Sequence, residues 1–172
     1  KDTLYCDNLN SEKRKSCILI LNILLDCLLK WFAPILSFTT EEIYLLISKN
    51  SNDSIHLKKF IKTPENWQNK SLNEKWEKLI KIRDIANISI ENKRTDKLIG
   101  SSLESNIKIK LKKDLYDIAK DFDFAELCIT SAADVLLDNR IGDEINVETF
   151  KAEGNKCNVC WKIRKDKCER HG

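Results

Sequence analysis

Four residues with metal-binding side chains lie within the last sixteen positions of the sequence. They are Cys157, Cys160, Cys168 and His171, and their spacing is C-x2-C, seven residues, then C-x2-H. A C-x2-C turn places two sulfurs on one side of a tight loop, and the seven-residue spacer is long enough to fold the second pair back. The pattern therefore predicts a tetrahedral site for one zinc ion.

Four protein ligands leave no open position on zinc, so the predicted ion is structural and not catalytic. His171 is the weakest member of the set, because a single residue follows it and chain ends fray. Nearby Lys and Arg side chains would favour the thiolate form of the cysteines. A flexible cysteine-containing tail and a redox C-x-x-C pair are the alternatives, and the second ligand pair argues against both.

The segment that contains these ligands is basic. Residues 151–172 carry seven Lys and Arg against three acidic residues, a net charge of +4 in a chain of net charge +3. A compact basic module suits a nucleic-acid backbone, whereas the plain alternative is a solvated surface. Trp161 either stacks on an unpaired base or packs beneath the zinc loops. The predicted nucleic-acid-contacting residues are Lys162, Arg164, Lys165, Arg170 and Trp161.

No catalytic residue is predicted. The sequence has two histidines, His56 and His171, and nothing near His56 resembles a Ser/His/Asp or Cys/His arrangement. Neither G-x-G-x-x-G nor G-x-x-x-x-G-K-[ST] occurs. His56 is interpreted as a loop residue.

The composition predicts a folded, helix-rich, cytoplasmic protein. Of the 172 residues, 33% are charged and 42% hydrophobic, with only 4 Gly and 2 Pro, which excludes collagen-like and low-complexity chains. The seven cysteines are odd in number and mostly scattered, which is typical of a reducing compartment and not of a secreted disulfide scaffold. Because the sequence begins at Lys1 and contains no Met, we expect it to be part of a longer protein.

The longest apolar stretch, residues 17–36, is predicted to be a helix of a globular protein. Asn22, Asp26 and Lys30 interrupt it at four-residue spacing and so share one helical face. Facing lipid would cost about 2.5–3.5 kcal/mol for each charged side chain at mid-membrane. No membrane span and no targeting segment are predicted.

Three helices are predicted before residue 97, and they should pack as an antiparallel bundle. Ser11 can cap the first, and Ala33-Pro34 ends it near Phe32. Capping boxes that begin at Thr39 and Ser71 predict two more, over 39–48 and 71–93, with a long polar connection between them.

After Gly100 the pattern changes to that of a small α+β unit. Alternation predicts a strand over 107–111, followed by a short helix at 114–120 and further strands at 125–130 and 144–150. The predicted fold is mainly α, in three parts: a helical bundle (1–96), a small α+β connector (97–150) and a basic zinc ribbon or knuckle (151–172).

Several segments resemble the C-terminal region of bacterial isoleucyl-tRNA synthetases, which are class I enzymes. Residues 1–7 resemble the entry to a helix of their anticodon-binding bundle, and residues 33–44 (APILSFTTEEIY) resemble a segment shared with the valyl and leucyl enzymes. Residues 97–104 (KLIGSSLE) and the terminal C-x-x-C-W are more specific to the isoleucyl enzymes. The resemblance extends over essentially the entire chain.

The resemblance implies a parent that activates isoleucine with ATP and Mg2+, transfers it to tRNA(Ile) and hydrolyses mischarged valine. The catalytic and editing domains would lie outside this chain, which lacks the His-x-Gly-His and Lys-Met-Ser-Lys-Ser motifs. The part present would grip the anticodon stem and loop, with the zinc module against that loop. The family usually has four cysteines and a longer spacer, whereas here His171 stands at the fourth position.

We also expect a cytoplasmic monomer with no DNA or membrane partner. The alternative is a free-standing zinc-containing RNA-binding or protein-interaction module without ligase activity, and a purely structural tail is a third possibility. The two main readings differ in whether several hundred residues precede Lys1.

Overall fold

The computed structural model describes residues 2–48 and 52–168, which form two compact units divided after residue 68. The helices are α1 (Asp2–Tyr5), α2 (Glu12–Phe32), α3 (Ser37–Ser48), α4 (Lys70–Thr95), α5 (Lys113–Ala119) and α6 (Phe124–Leu127). The strands are β1 (Ser105–Leu111), β2 (Ala132–Leu137), β3 (Ile145–Lys151), β4 (Asn155–Lys156) and β5 (Ile163–Arg164). Three single 3-10 turns lie at Ile55–Leu57, Glu65–Trp67 and Ser102–Glu104.

The bounds of α2 confirm the first predicted helix. The Ser11 hydroxyl accepts a hydrogen bond from the Arg14 N–H, and the helix ends at Phe32, two residues before Pro34. This cap satisfies one of the N–H groups that a helix start leaves without an intrahelical acceptor.

Helix α3 begins earlier than predicted, and the capping box at Thr39 is wrong. The chain turns tightly after α2, because the Leu36 N–H donates to the Phe32 carbonyl at 2.7 Å. The helix therefore starts at Ser37, and Thr39 lies in its first turn. Leu29, Ala33 and Ile55 form a small buried cluster in this unit, with Tyr44 packed against it.

Tyr44 also fixes the polar connection that follows α3. Its hydroxyl donates to an Asp53 carboxylate oxygen at 2.6 Å, and Lys58 forms an ion pair with the same carboxylate at 2.8 Å. The Lys58 ammonium, together with the Tyr44 hydroxyl, holds the pKa of Asp53 below its usual value. The predicted long connection is thus held against the first unit by side-chain hydrogen bonds.

Helix α4 packs on the sheet of the second unit. The Asn69 carboxamide oxygen accepts from the Leu72 N–H at 2.9 Å, so the helix starts at Lys70 and the predicted cap at Ser71 is wrong. The buried residues of α4 recur every three or four positions and join the same core as strand β1. They are Leu79, Ile82, Ala86 and Ile90.

Strand β1 is the centre of a three-stranded sheet of order β2-β1-β3. It runs parallel to β2 and antiparallel to β3, with Ile109 opposite both Val135 and Val147. Ile107, Ile109 and Leu111 point into the core that α4 helps to cover. The predictions for β1, α5 and β3 are therefore confirmed to within two residues.

The predicted strand at 125–130 is wrong. The Asp123 carboxylate accepts from the Glu126 N–H at 3.0 Å and caps the short helix α6, whose Phe124 side chain is buried. The strand follows it instead, as β2. The cap and the buried aromatic side chain stabilise a helical turn here more than the weak strand pattern of this segment stabilises a strand.

The mainly-α prediction holds only in part. About half of the described residues are helical, and the rest include the sheet, a hairpin and long connections. The buried face of α4 belongs to the sheet-containing unit. The division into three parts at residues 96 and 150 stays a prediction. Within residues 2–48 and 52–168, no helix combines the length and apolar character that a membrane span requires.

Candidate nucleic-acid interface and metal centre

A small hairpin positions the predicted metal ligands. Strands β4 and β5 pair antiparallel, with Asn155 opposite Arg164. Inside the hairpin, the Cys157 N–H donates to the Lys162 carbonyl at 2.9 Å and the Trp161 N–H donates to the Cys157 carbonyl at 3.0 Å. These bonds close the loop that carries the C-x2-C pair.

Three of the four predicted ligands lie together. The sulfur atoms of Cys157, Cys160 and Cys168 all lie within 4.8 Å of one another, and the Cys160–Cys168 distance is 3.8 Å. Such a cluster could hold a soft metal ion, because thiolates are the preferred ligands of zinc and its chemical relatives. His171 lies outside the described residues, so the fourth ligand stays a prediction.

Burial changes the expected protonation of the central cysteine. Cys160 is buried, and desolvation raises the pKa of its thiol to about 11. The expectation that basic neighbours favour the thiolate does not hold for this residue. A bound cation would have to displace the proton, which couples metal binding to proton release.

Trp161 and Lys156 form the exposed tip of the hairpin. The indole is half exposed, and the Lys156 ammonium lies 5.4 Å from the ring centroid. The backbone of Trp161 has a φ of 64°, a conformation that non-glycine residues seldom adopt. The ring is therefore not enclosed beneath the described part of the loops.

One buried serine joins the hairpin to the sheet. The Ser131 hydroxyl donates to the Leu103 carbonyl at 2.5 Å and accepts from the Ile163 N–H at 2.6 Å. Both bonds run between segments far apart in the chain. Ser131 therefore sets where the basic strand β5 lies on the sheet.

Replacing Ser131 with Ala should loosen the hairpin. Two backbone groups would lose their partner, at a cost of about 1–3 kcal/mol. Chemical denaturation and amide exchange at Ile163 would measure this, with Ser89→Ala as a control. Ser89 also hydrogen-bonds the sheet, through Val147 and Thr149. Unchanged Ile163 protection in Ser131→Ala would contradict the role of this hydroxyl.

The predicted phosphate-contacting residues differ in exposure. Lys162 is only 8% exposed, Arg164 is partly buried, and Lys165 is exposed with its ammonium 3.0 Å from a Glu153 carboxylate oxygen. Arg170 lies outside the described residues. No structural observation tests these contacts, and they stay predictions.

Lys162, Arg164 and Lys165 line one side of a cleft of about 710 Å³. The other side is the face of the sheet that α4 does not cover, including Lys108 and Phe150. Sequence reasoning missed these two residues. Phe150 could have been found from the strand pattern, because alternation in β3 places it on the same side as polar Asn146 and Glu148.

Comparison with known proteins adds to this geometry. Residues 1–111, which extend to the end of β1, match the sequence profile of the anticodon-binding domain of tRNA ligase. The chain belongs to this family. The match includes α2, α3 and α4, the three helices predicted from capping and periodicity.

Three relatives of this chain are isoleucine–tRNA ligases. That of Pelagibacter ubique is 61% identical over 99% of the chain and 19% of the relative. Those of Agrobacterium fabrum and Caldicellulosiruptor saccharolyticus are 41% and 39% identical, over 96% and 95% of the chain and 18% of each relative. These matches confirm the resemblance to isoleucyl-tRNA synthetases, and the chain spans about a fifth of the length of the relatives.

Proposed function

We propose that this chain is the anticodon-binding region of an isoleucine–tRNA ligase and that it grips tRNA(Ile). The observation that carries the proposal is the 61% identity to such a ligase over almost the whole chain, basic hairpin included. The relatives named above are ligases, which favours this function over a free-standing binding module. The parent would attach isoleucine with ATP and Mg2+ and remove mischarged valine in domains outside this chain.

The role of this region would be positional. Contacts to the tRNA far from the acceptor end supply binding energy that orients the acceptor end at a catalytic site elsewhere. The predicted helical bundle, residues 1–96, would hold the tRNA by shape and phosphate contacts. The basic residues 151–172 would reach the anticodon loop. We place this activity in the cytoplasm, where seven cysteines without a disulfide fit the reducing conditions.

The same proposal assigns one structural zinc ion to Cys157, Cys160 and Cys168, with His171 as the predicted fourth ligand. The three converging sulfurs support it, since thiolates are preferred zinc ligands and the central one, Cys160, is buried. Bound zinc would fix the fold of the hairpin, and no chemical step passes through it. The chain's own contribution is to hold Arg164 of strand β5 and the adjacent Lys165 beside the cleft.

Removing Arg164 of strand β5 and the adjacent Lys165 tests the RNA contact. In the complete protein, Arg164→Gln with Lys165→Gln should weaken tRNA(Ile) affinity roughly tenfold. It should also reduce the slope of log affinity against log salt by about 2, one unit for each lost phosphate contact. Filter binding across a salt series measures both quantities. Lys162 is left in place because it is buried and its loss would perturb folding.

A matched control removes two lysines from an exposed part of α4. Lys75→Gln with Lys78→Gln changes the net charge equally, and both positions are exposed and outside the cleft. Equal losses in the two double variants would mean that only overall charge matters. Wild-type protein that binds tRNA(Ile) no better than an unrelated tRNA would contradict the proposed function itself.

A further inference from the structure

The cleft between the sheet and strand β5 contains the aromatic ring of Phe150, which is not part of the hydrophobic core. Phe150 is 46% exposed and lies on the open face of the sheet, directly opposite Asn106 of β1. Its neighbours on that face of β3 are Asn146 and Glu148, both polar. An exposed ring whose neighbours along its strand are polar is available for a planar ligand.

One cation contacts this ring, and others line the same cleft. The Lys108 ammonium lies 5.4 Å from its centroid, and Lys151 follows Phe150 directly. Six basic residues line the cleft, against the four carboxylates of Asp123, Asp134, Glu153 and Asp166. The six are Lys108, Lys151, Lys162, Arg164, Lys165 and Lys167. The lining is therefore net positive around an aromatic floor.

We propose that this cleft binds one unpaired nucleotide of the tRNA, with its base stacked on Phe150 and its flanking phosphates beside the basic residues of 162–167. The inference rests on the proposed tRNA binding and locates a base contact on the sheet. A ring bordered by cations matches a nucleotide, which has one planar apolar part and one anionic part. A volume of about 710 Å³ is within the range of small-ligand sites.

Lys108 does not block such stacking. An ammonium over an exposed ring is held weakly compared with a stacked base, so the base displaces it toward a phosphate. Within the described part of the chain, the buried carboxamide oxygen of Asn106 meets no hydrogen-bond donor. Asn106 also lines the cleft beside Phe150.

Substitutions at Phe150 test the site in the complete protein. Phe150→Ala should weaken binding of a tRNA(Ile) transcript about tenfold, whereas Phe150→Tyr, which keeps a stacking ring, should bind as wild type does. The salt slope should stay unchanged, because stacking releases no counterions. Since Phe150 is exposed, the Ala variant should keep the wild-type melting temperature within a few degrees.

Two controls distinguish loss of the nucleotide site from a general loss of RNA binding. Leu136→Ala removes another exposed apolar side chain of the open face that does not line the cleft, and its affinity should be unchanged. A fully paired RNA duplex should bind wild type and Phe150→Ala equally. Loss of duplex binding, or no loss of tRNA binding, in Phe150→Ala would overturn the nucleotide site. Capture of an acidic peptide by the cleft in place of tRNA would do so too, and failure of wild type to bind tRNA would overturn the proposed function as well.

Discussion

Replacing Cys160 with Ser should abolish zinc binding and the order of the hairpin. Cys160 is the most buried of the three clustered cysteines, and its sulfur lies 3.8 Å from that of Cys168. Structural zinc contributes about 10–16 kcal/mol of apparent binding free energy in small zinc-binding peptides, more than the short strand pair and the bond from Ile163 to Ser131 can replace. Metal analysis by mass spectrometry and amide exchange over those residues measure the two effects.

A second buried cysteine provides the control for this variant. Cys128 is also buried in the sheet-containing unit, and burial raises the pKa of its thiol to about 11 as well. It lies outside the sulfur cluster. Cys128→Ser should lose some global stability and keep a full equivalent of zinc. A full equivalent of zinc in Cys160→Ser would rule out the proposed ligand set.

Replacing Gly154 with Ala should open the hairpin by a different route. Gly154 has a φ of 125°, a backbone conformation that residues other than glycine rarely adopt. An added Cβ would also overlap the carbonyl group of Arg164 and lie 2.6 Å from the Lys165 nitrogen. The combined strain and overlap should cost on the order of 3–5 kcal/mol, more than two short strands can offset. Amide exchange at Lys156 and Ile163 and the zinc content should both report the opening.

Gly142→Ala is the control variant for Gly154→Ala. A Cβ added there would meet no atom within 4 Å, so Gly142→Ala should change the free energy of unfolding by less than about 0.5 kcal/mol. If Gly154→Ala kept both its zinc and the exchange protection of β4 and β5, the close approach of the two backbones would have no structural importance.

The faces of helix α2 show where sequence reasoning stops. Its length and its Ser11 cap were predictable, because both depend on local hydrogen bonds. The face of the helix that packs was not predictable, since Leu25 and Leu28 of the apolar stripe are exposed. On the polar stripe, the side chain of Lys30 is only 15% exposed and pairs with Asp26 at 2.7 Å. A helical repeat identifies an apolar stripe, but only the neighbouring elements decide what that stripe contacts.

The metal ligands were predictable to a similar extent. The spacing of Cys157, Cys160 and Cys168 indicated that their sulfurs would meet, and the structure brings them within 4.8 Å of one another. The spacing carried no information on burial. Basic neighbours were expected to lower the pKa of the Cys160 thiol, whereas burial raises it. Desolvation depends on the atoms packed around a thiol, and these come from elsewhere in the chain.

The sequence by itself determined the helix starts and ends near Ser11 and Pro34, the alternation of β1, the cysteine cluster and the family. Each depends on residues close together in the chain or on a pattern that can be read along it. Only the tertiary structure decided that α4 covers one face of the sheet and that Ser131 joins strand β5 to it. The same packing places Phe150, Arg164 and Lys165 in one cleft. Phe150 and Arg164 belong to different strands of different sheets, and contacts between such segments arise from packing.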